Sequence, residues 1–241
     1  MSTQYILLWL EAPLQAWGAD SKFGRRDSLR FPTKSGITGL LLCALGASGE
    51  QRELLGQLVP LKQTVVSYVR LQKSVEAEHR KVDREPLLRD FHMVGSGYDD
   101  SNPWETLLIP KTSEGKKAVG GGTKMTYRYY LQNARFAVII EVPAAWVISV
   151  AEALINPVYD LYLGRKNCVP TEFIYQGTFE DAQEALEKAA DIAERGSLIE
   201  DFRVEDGDHG DRGEVMTLND IPVQFGEFKK YKDRRVTVIS V

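Results

Sequence analysis

The chain has 241 residues, 43% of them hydrophobic and 27% charged, with a formal net charge of −4. These proportions belong to folded globular chains and exclude collagen-like, mucin-like and wholly disordered classes. No apolar run approaches the ~20 residues that a membrane-spanning helix needs, and two cysteines, Cys43 and Cys168, cannot build a disulfide framework.

Residues 4–11 (QYILLWLE) are apolar and rich in large side chains, which predicts a buried strand. The run stops at Glu11, too early for a secretory leader, and a cytoplasmic protein is expected. Residues 12–34 form a long connection with two prolines, two glycines and five basic residues: Lys22, Arg25, Arg26, Arg30 and Lys34. Long loops inside compact domains are uncommon and often functional. Residues 35–46 predict a helix, with Thr33 or Ser35 capping its start and Gly46 ending it. Ile37, Leu40, Leu41, Ala44 and Leu45 fall on its core face. Gly36, Gly39 and Cys43 form a second face that a neighbouring element or a ligand should approach closely.

A strand is expected at 64–73, and the polar, glycine-rich stretch 74–134 reads as an inserted arm. Residues 135–142 (RFAVIIEV) predict a strand, Pro143 opens a helix at 144–155, and 158–164 reads as another strand. That βαββαβ order is the signature of an α+β, ferredoxin-like (RRM-type) sandwich. A strand at 172–178, an acidic helix at 180–195, a polar loop around 205–213 and strands near 214–218 and 235–241 complete a small C-terminal β-rich region. The expected division is therefore 1–165 for the sandwich with its arm and 166–241 for the remainder. Charge divides similarly: residues 1–135 carry 19 basic and 14 acidic residues (+5), and residues 136–241 carry 11 and 20 (−9).

Several constellations carry possible chemistry. Arg25, Arg26, Arg30 and Lys34 precede a helix start, where cationic donors and free backbone N–H groups suit phosphate. A solvated loop with ion pairs to Asp20 and Asp27 is the alternative. On the arm, Arg89, Phe91, His92 and Met93, and further on Tyr127, Arg128, Tyr129 and Tyr130, interleave aromatic and basic groups as unpaired bases require; packing back onto the domain is the alternative. His92 with Lys111, Lys116 or Lys117 offers an acid–base pair for RNA cleavage, against a plain contact role. Arg165, Lys166 and Asn167 follow a glycine at an expected sheet end, as backbone-binding donors or as an ordinary turn. Residues 205–214 (EDGDHGDRGE) do not match calcium-loop spacing and read as a solvated acidic turn. VGGGTK at 119–124 lacks phosphate-loop spacing and reads as a flexible tip.

The segments LEAPLQAWG, GRRDSLRFPTKSGITGLLLCALG, LRDFHMV and VYDLYLGRKNCVP, with QGTF after them, occur in this order between about residues 6 and 179. Together they resemble the Cas-five (CasD-type) family of CRISPR Cascade subunits, in its type I-E branch. The resemblance implies a ferredoxin-like RNA-binding domain with a protruding thumb at about 74–134. It implies antiviral defence in a ribonucleoprotein complex, in which the subunit holds the 5′ handle of the crRNA and caps the backbone filament. Partners would be the Cascade backbone subunit, the large subunit and, through the complex, target DNA; no membrane, metal or cofactor is involved. Type I-E members bind RNA without cutting it, whereas type I-C members cleave the precursor, and an endoribonuclease is the alternative here. The implied RNA-binding residues are Trp17, Lys22, Arg25, Arg26, Arg30, Lys34, Ser35, Arg89, Phe91, His92, Met93, Arg165, Lys166 and Asn167. A thumb wedged between bases would kink the guide.

Overall fold

The computed structural model describes residues 2–18, 21, 24–73, 79–95, 111–116 and 123–241. Strand β1 (Thr3–Glu11) is followed by four two-residue strands within the long connection: β2 (Leu14–Gln15), β3 (Trp17–Gly18), β4 (Arg25–Arg26) and β5 (Ser28–Leu29). Helices α1 (Lys34–Ala44) and α2 (Arg52–Leu58) lead to β6 (Gln63–Lys73) and the short β7 (His79–Lys81). The arm supplies β8 (Leu88–Val94) and β9 (Lys124–Gln132), and β10 (Arg135–Pro143) returns to the core. A 3-10 turn at Ala144–Trp146 leads into α3 (Val147–Ile155). Then come β11 (Tyr175–Phe179), α4 (Ala182–Arg195), β12 (Leu198–Asp206), β13 (Glu214–Gln224) and β14 (Lys230–Ser240). None of the helices among the described residues is long and apolar enough to cross a membrane.

The principal sheet runs β11-β1-β10-β6-β12-β14-β13, with β7 beside β6. Neighbours along the β11-β1-β10-β6 half are antiparallel throughout. β1 sits in its middle, and Ile6 to Leu10 are all buried, so a continuous apolar run appears where a half-exposed strand would alternate. Ile6, Leu8 and Leu10 join the core under α1 and α3, with Ile37, Leu41, Val150 and Leu154. Leu7 and Trp9 point the other way and meet Ala185, Ala189 and Ala193 of α4. Alanines at that i, i+4, i+8 spacing let the helix lie close on the sheet. Both faces of the central strands are therefore covered.

Three expectations change. Residues 158–164 are not a strand; the chain turns at Gly164 (φ +96°), and the strand that pairs with the free side of β1 is β11, within the segment 166–241. β12 was not expected, because its sequence LIEDFRVED mixes charge with apolar residues, and it extends the principal sheet beside β6. The long connection is not structureless: β2 pairs with β9, β3 with β5, and β4 with β9.

Candidate nucleic-acid interface

The basic loop and the arm form one unit. β4 lies parallel to β9, with Arg25 opposite Tyr127 and Arg26 opposite Arg128, and Tyr127 N–H donates to the Gly24 carbonyl at 2.8 Å. The Arg25 guanidinium sits 4.7 Å from the centre of the Tyr129 ring and donates to Asp27 at 2.8 Å. That hydrogen bond raises the Arg25 pKa. The ion pair and the aromatic platform orient a side chain that otherwise lies open to solvent.

β8 and β9 pair antiparallel, with Arg89 opposite Tyr129, Phe91 opposite Tyr127 and Met93 opposite Met125. Side chains alternate across a strand, so these six share one face and Asp90, His92, Thr126 and Arg128 share the other. The first face is mostly apolar and open: Phe91, Met93, Met125 and Tyr127 are 49%, 55%, 61% and 47% exposed. Phe91 and Tyr127 lie with ring centroids 5.5 Å apart, and the Arg89 guanidinium lies 5.4 Å from the Tyr127 ring centre. Exposed rings flanked by arginine suit base stacking with phosphate contacts alongside. His92, expected beside Phe91 and Met93 as a contact, lies across the strand from them. No described lysine or tyrosine hydrogen-bonds its ring.

The turn after residue 163 secures this unit from behind. Arg165 donates to the Tyr129 carbonyl at 3.2 Å and the Arg26 carbonyl at 3.0 Å, with its guanidinium 4.6 Å from the Tyr130 ring centre. Asn167 Nδ2 donates to the Tyr130 hydroxyl at 3.2 Å. Arg165 and Asn167 thus hold the loop and the arm base together, and of the three expected donors Lys166 is the one left open to solvent without an internal partner among the described residues. Gly164 packs so tightly that an added Cβ would fall 1.6 Å from the Ala16 carbonyl oxygen. Beneath it, Cys168 is buried and its thiol pKa raised, chiefly by burial.

The start of α1 corrects two expectations. Lys34 is only 6% exposed; its Nζ donates to the Leu61 carbonyl at 2.5 Å and to Asp206 at 3.2 Å. Its backbone N–H donates to Asp220 at 2.8 Å, and Thr33 Oγ1 accepts from Gly36 N–H at 3.1 Å. A carboxylate and a cap therefore occupy the place proposed for phosphate. Arg234 closes the cluster, gripping Asp220 through Nε at 2.7 Å and Nη2 at 2.8 Å and also bonding Asp206. Burial works against the Arg234 charge, but pairing with Asp220 and Asp206 overrides it and raises its pKa. Asp206 thus belongs to a buried ion-pair network and not to a solvated acidic turn.

Trp17 is also internal. Its indole N–H donates to Gln15 Oε1 at 3.1 Å, and its ring fills the space beside Gly36, where an added Cβ would meet Trp17 Cε3 at 2.8 Å. The close neighbour of Gly36 is thus this chain's own tryptophan, while Gly39 has nothing within 4 Å of an added Cβ. Ser35 lines a cleft with Ser21 and Tyr231, and Arg30 is exposed while its carbonyl accepts from Arg84 at 3.1 Å. Lys22, Asp20 and Lys117 lie outside the described residues, as does most of the glycine-rich tip.

The structure thus brings Arg25, Arg89, Phe91 and Met93 together on one face, registers Arg26 beside Arg128 of the other, and directs Trp17 and Lys34 inward. Met125 was not anticipated, though the alternation in KMTYRYYLQ carries the signal: Met125 and Tyr127 are exposed on one face and Tyr129 half-buried there, while Thr126 between them is buried.

Residues 5–238 match the family model described as CRISPR-associated protein (Cas_Cas5). Over 187 residues the chain is 35% identical to the CRISPR system Cascade subunit CasD of Escherichia coli (strain K12), spanning 76% of this chain and 75% of that one. Among solved structures, a chain of a CRISPR RNA-guided surveillance complex aligns with a TM-score of 0.69 at 25% identity, covering 98% of this chain and 90% of its own. The crystal structure of a Cas protein shares the fold, with a TM-score of 0.55 at 23% identity, covering 98% of this chain and 94% of its own.

Proposed function

Because the chain belongs to the CRISPR-associated Cas5 family, we propose that it is the crRNA-binding subunit of a type I-E Cascade surveillance complex, holding the guide without cutting it. It grips the 5′ handle, caps the backbone filament and contacts the large subunit, in the cytoplasm. The single observation that carries this reading is the merged loop-and-arm face, where Arg25 and Arg89 flank the open side chains of Phe91, Met93, Met125 and Tyr127. Cations for phosphates and unpaired rings for bases occur there side by side. The antiparallel order β11-β1-β10-β6, fourth-first-third-second by position in the motif, supports the ferredoxin-like reading of residues 1–165 extended to β11. RNA is not expected on the sheet as in an RRM, because α4 covers that face. A holding role is further supported by His92, which faces away from the stacking ladder.

Charge reversal of Arg25 and Arg26 tests the reading. The double variant, R25E/R26E, should co-purify with much less guide RNA and less assembled complex than the parent, while a circular dichroism spectrum shows the fold intact. Normal recovery of guide RNA would remove the loop from the site. Binding by the parent should weaken with salt, by a slope of about −0.7 for each phosphate contact.

A further inference from the structure

The tip of the β13–β14 hairpin, residues 225–232, reads FGEFKKYK, with the turn at 225–229 and the start of β14 after it. Its half of the chain has a net charge of −9, yet Lys229, Lys230 and Lys232 fall within four positions. All three are exposed, and none forms an ion pair among the described residues. Of the nearby carboxylates, Asp220 and Asp206 are engaged with Arg234, Asp208 with Arg235 and Asp233 with Asn219 Nδ2 at 2.6 Å, while Glu227 of the same segment is exposed and offsets part of the charge. Three closely spaced lysines outnumber the single carboxylate of their segment and repel one another, and a polyanion relieves that repulsion. Beside them Phe228 is 67% exposed, and Tyr231 stands edge-on to Phe225 with centroids 6.5 Å apart.

We propose that this hairpin is a second contact for single-stranded RNA, taking a segment of the same strand next to the one held by the basic loop and the arm. The proposal rests on the RNA-holding function above and extends it to a surface that function did not use. A cleft of about 640 Å³ borders the hairpin, and Tyr231, Asn219 and the Arg234-paired Asp220 line it together with Gly18, Ser21 and Ser35 from the long connection and the start of α1. Lysines alone suit any acidic partner. The exposed ring among them adds a stacking surface, which favours unpaired nucleic acid over a duplex or an acidic peptide.

Binding of oligouridylate to the full chain, read by fluorescence anisotropy, tests this with probes of about 8 and about 24 nucleotides. The long probe reaches both contacts and should bind the parent more tightly than the short one. The K229E/K230E/K232E variant should bind the short probe like the parent and the long probe about tenfold more weakly, with a salt slope shallower by about 2. The K229R/K230R/K232R variant should restore the parent affinity. Equal affinity of parent and glutamate variant for the long probe overturns the proposal. So does the absence of a length gain in the parent, or a defect seen only with duplex DNA or polyglutamate. The R25E/R26E variant separates the two contacts: if it keeps parent affinity for the short probe, the loop-and-arm reading fails, whereas the hairpin proposal is judged by the triple variant alone.

Discussion

Gly164 shows how one residue sets the interface. Its φ of +96° favours glycine, and the Ala16 carbonyl oxygen occupies the space a side chain would need. Gly164→Ala therefore has to displace backbone, costing about 2–4 kcal/mol. It should also release Arg165 from the Tyr129 and Arg26 carbonyls. A urea titration should show the lost stability, and guide-RNA recovery should fall with it; an unchanged midpoint would show that the turn is not under this constraint. Tyr68 predicts an alkaline limit. Burial, with help from Glu200, pushes its pKa up to about 12 from 10.0. Its neutral hydroxyl thus contributes stability that is fully present below pH 10 and lost as pH rises toward about 12. Melting temperatures taken from pH 8 to 11.5 should therefore decline less steeply in Tyr68→Phe than in the parent, and parallel declines would contradict the assignment.

At the scale of elements, the arm hairpin separates stability from binding. Phe91 and Tyr127 are exposed on a ribbon away from the main core, so truncating them should leave the melting temperature within about a degree or two of the parent. The same Phe91→Ala and Tyr127→Ala variants should lose about 1–3 kcal/mol of RNA binding for each base that no longer stacks; unchanged affinity in both would rule the ladder out. The arm's composition was legible in the sequence as interleaved aromatic and basic groups. Its pairing was not, because residues 88–94 and 124–132 are far apart in sequence and only the register shows which side chains share a face. The strand expected at 158–164 failed for a related reason. Tyr162 and Leu163 look like strand residues, but Leu163 serves as a buried anchor whose carbonyl accepts from Ala16 N–H at 3.1 Å.

Across the whole molecule, the helix–strand order around β1, β6 and β10 was legible because long apolar runs leave little choice of element. The roles of Lys34 and Trp17 were not, since a lysine before a helix looks the same in sequence whether it meets phosphate or an internal carboxylate. Asp206, Asp220 and Arg234 come from the C-terminal strands and pin α1 from a distance of more than 170 positions in sequence. The acidic half of the chain thus buttresses the basic half, and α4 closes the second sheet face, leaving the loop and arm open as the main surface proposed for the guide. Site-specific photo-crosslinking in the assembled complex tests that claim most directly, with a photoreactive phenylalanine analogue at Phe91, Tyr127 or, as the control, the exposed Ile148 of α3. The account predicts crosslinks to guide RNA from Phe91 and Tyr127 and none from Ile148; RNA captured at Ile148 while both arm positions stay silent would contradict it.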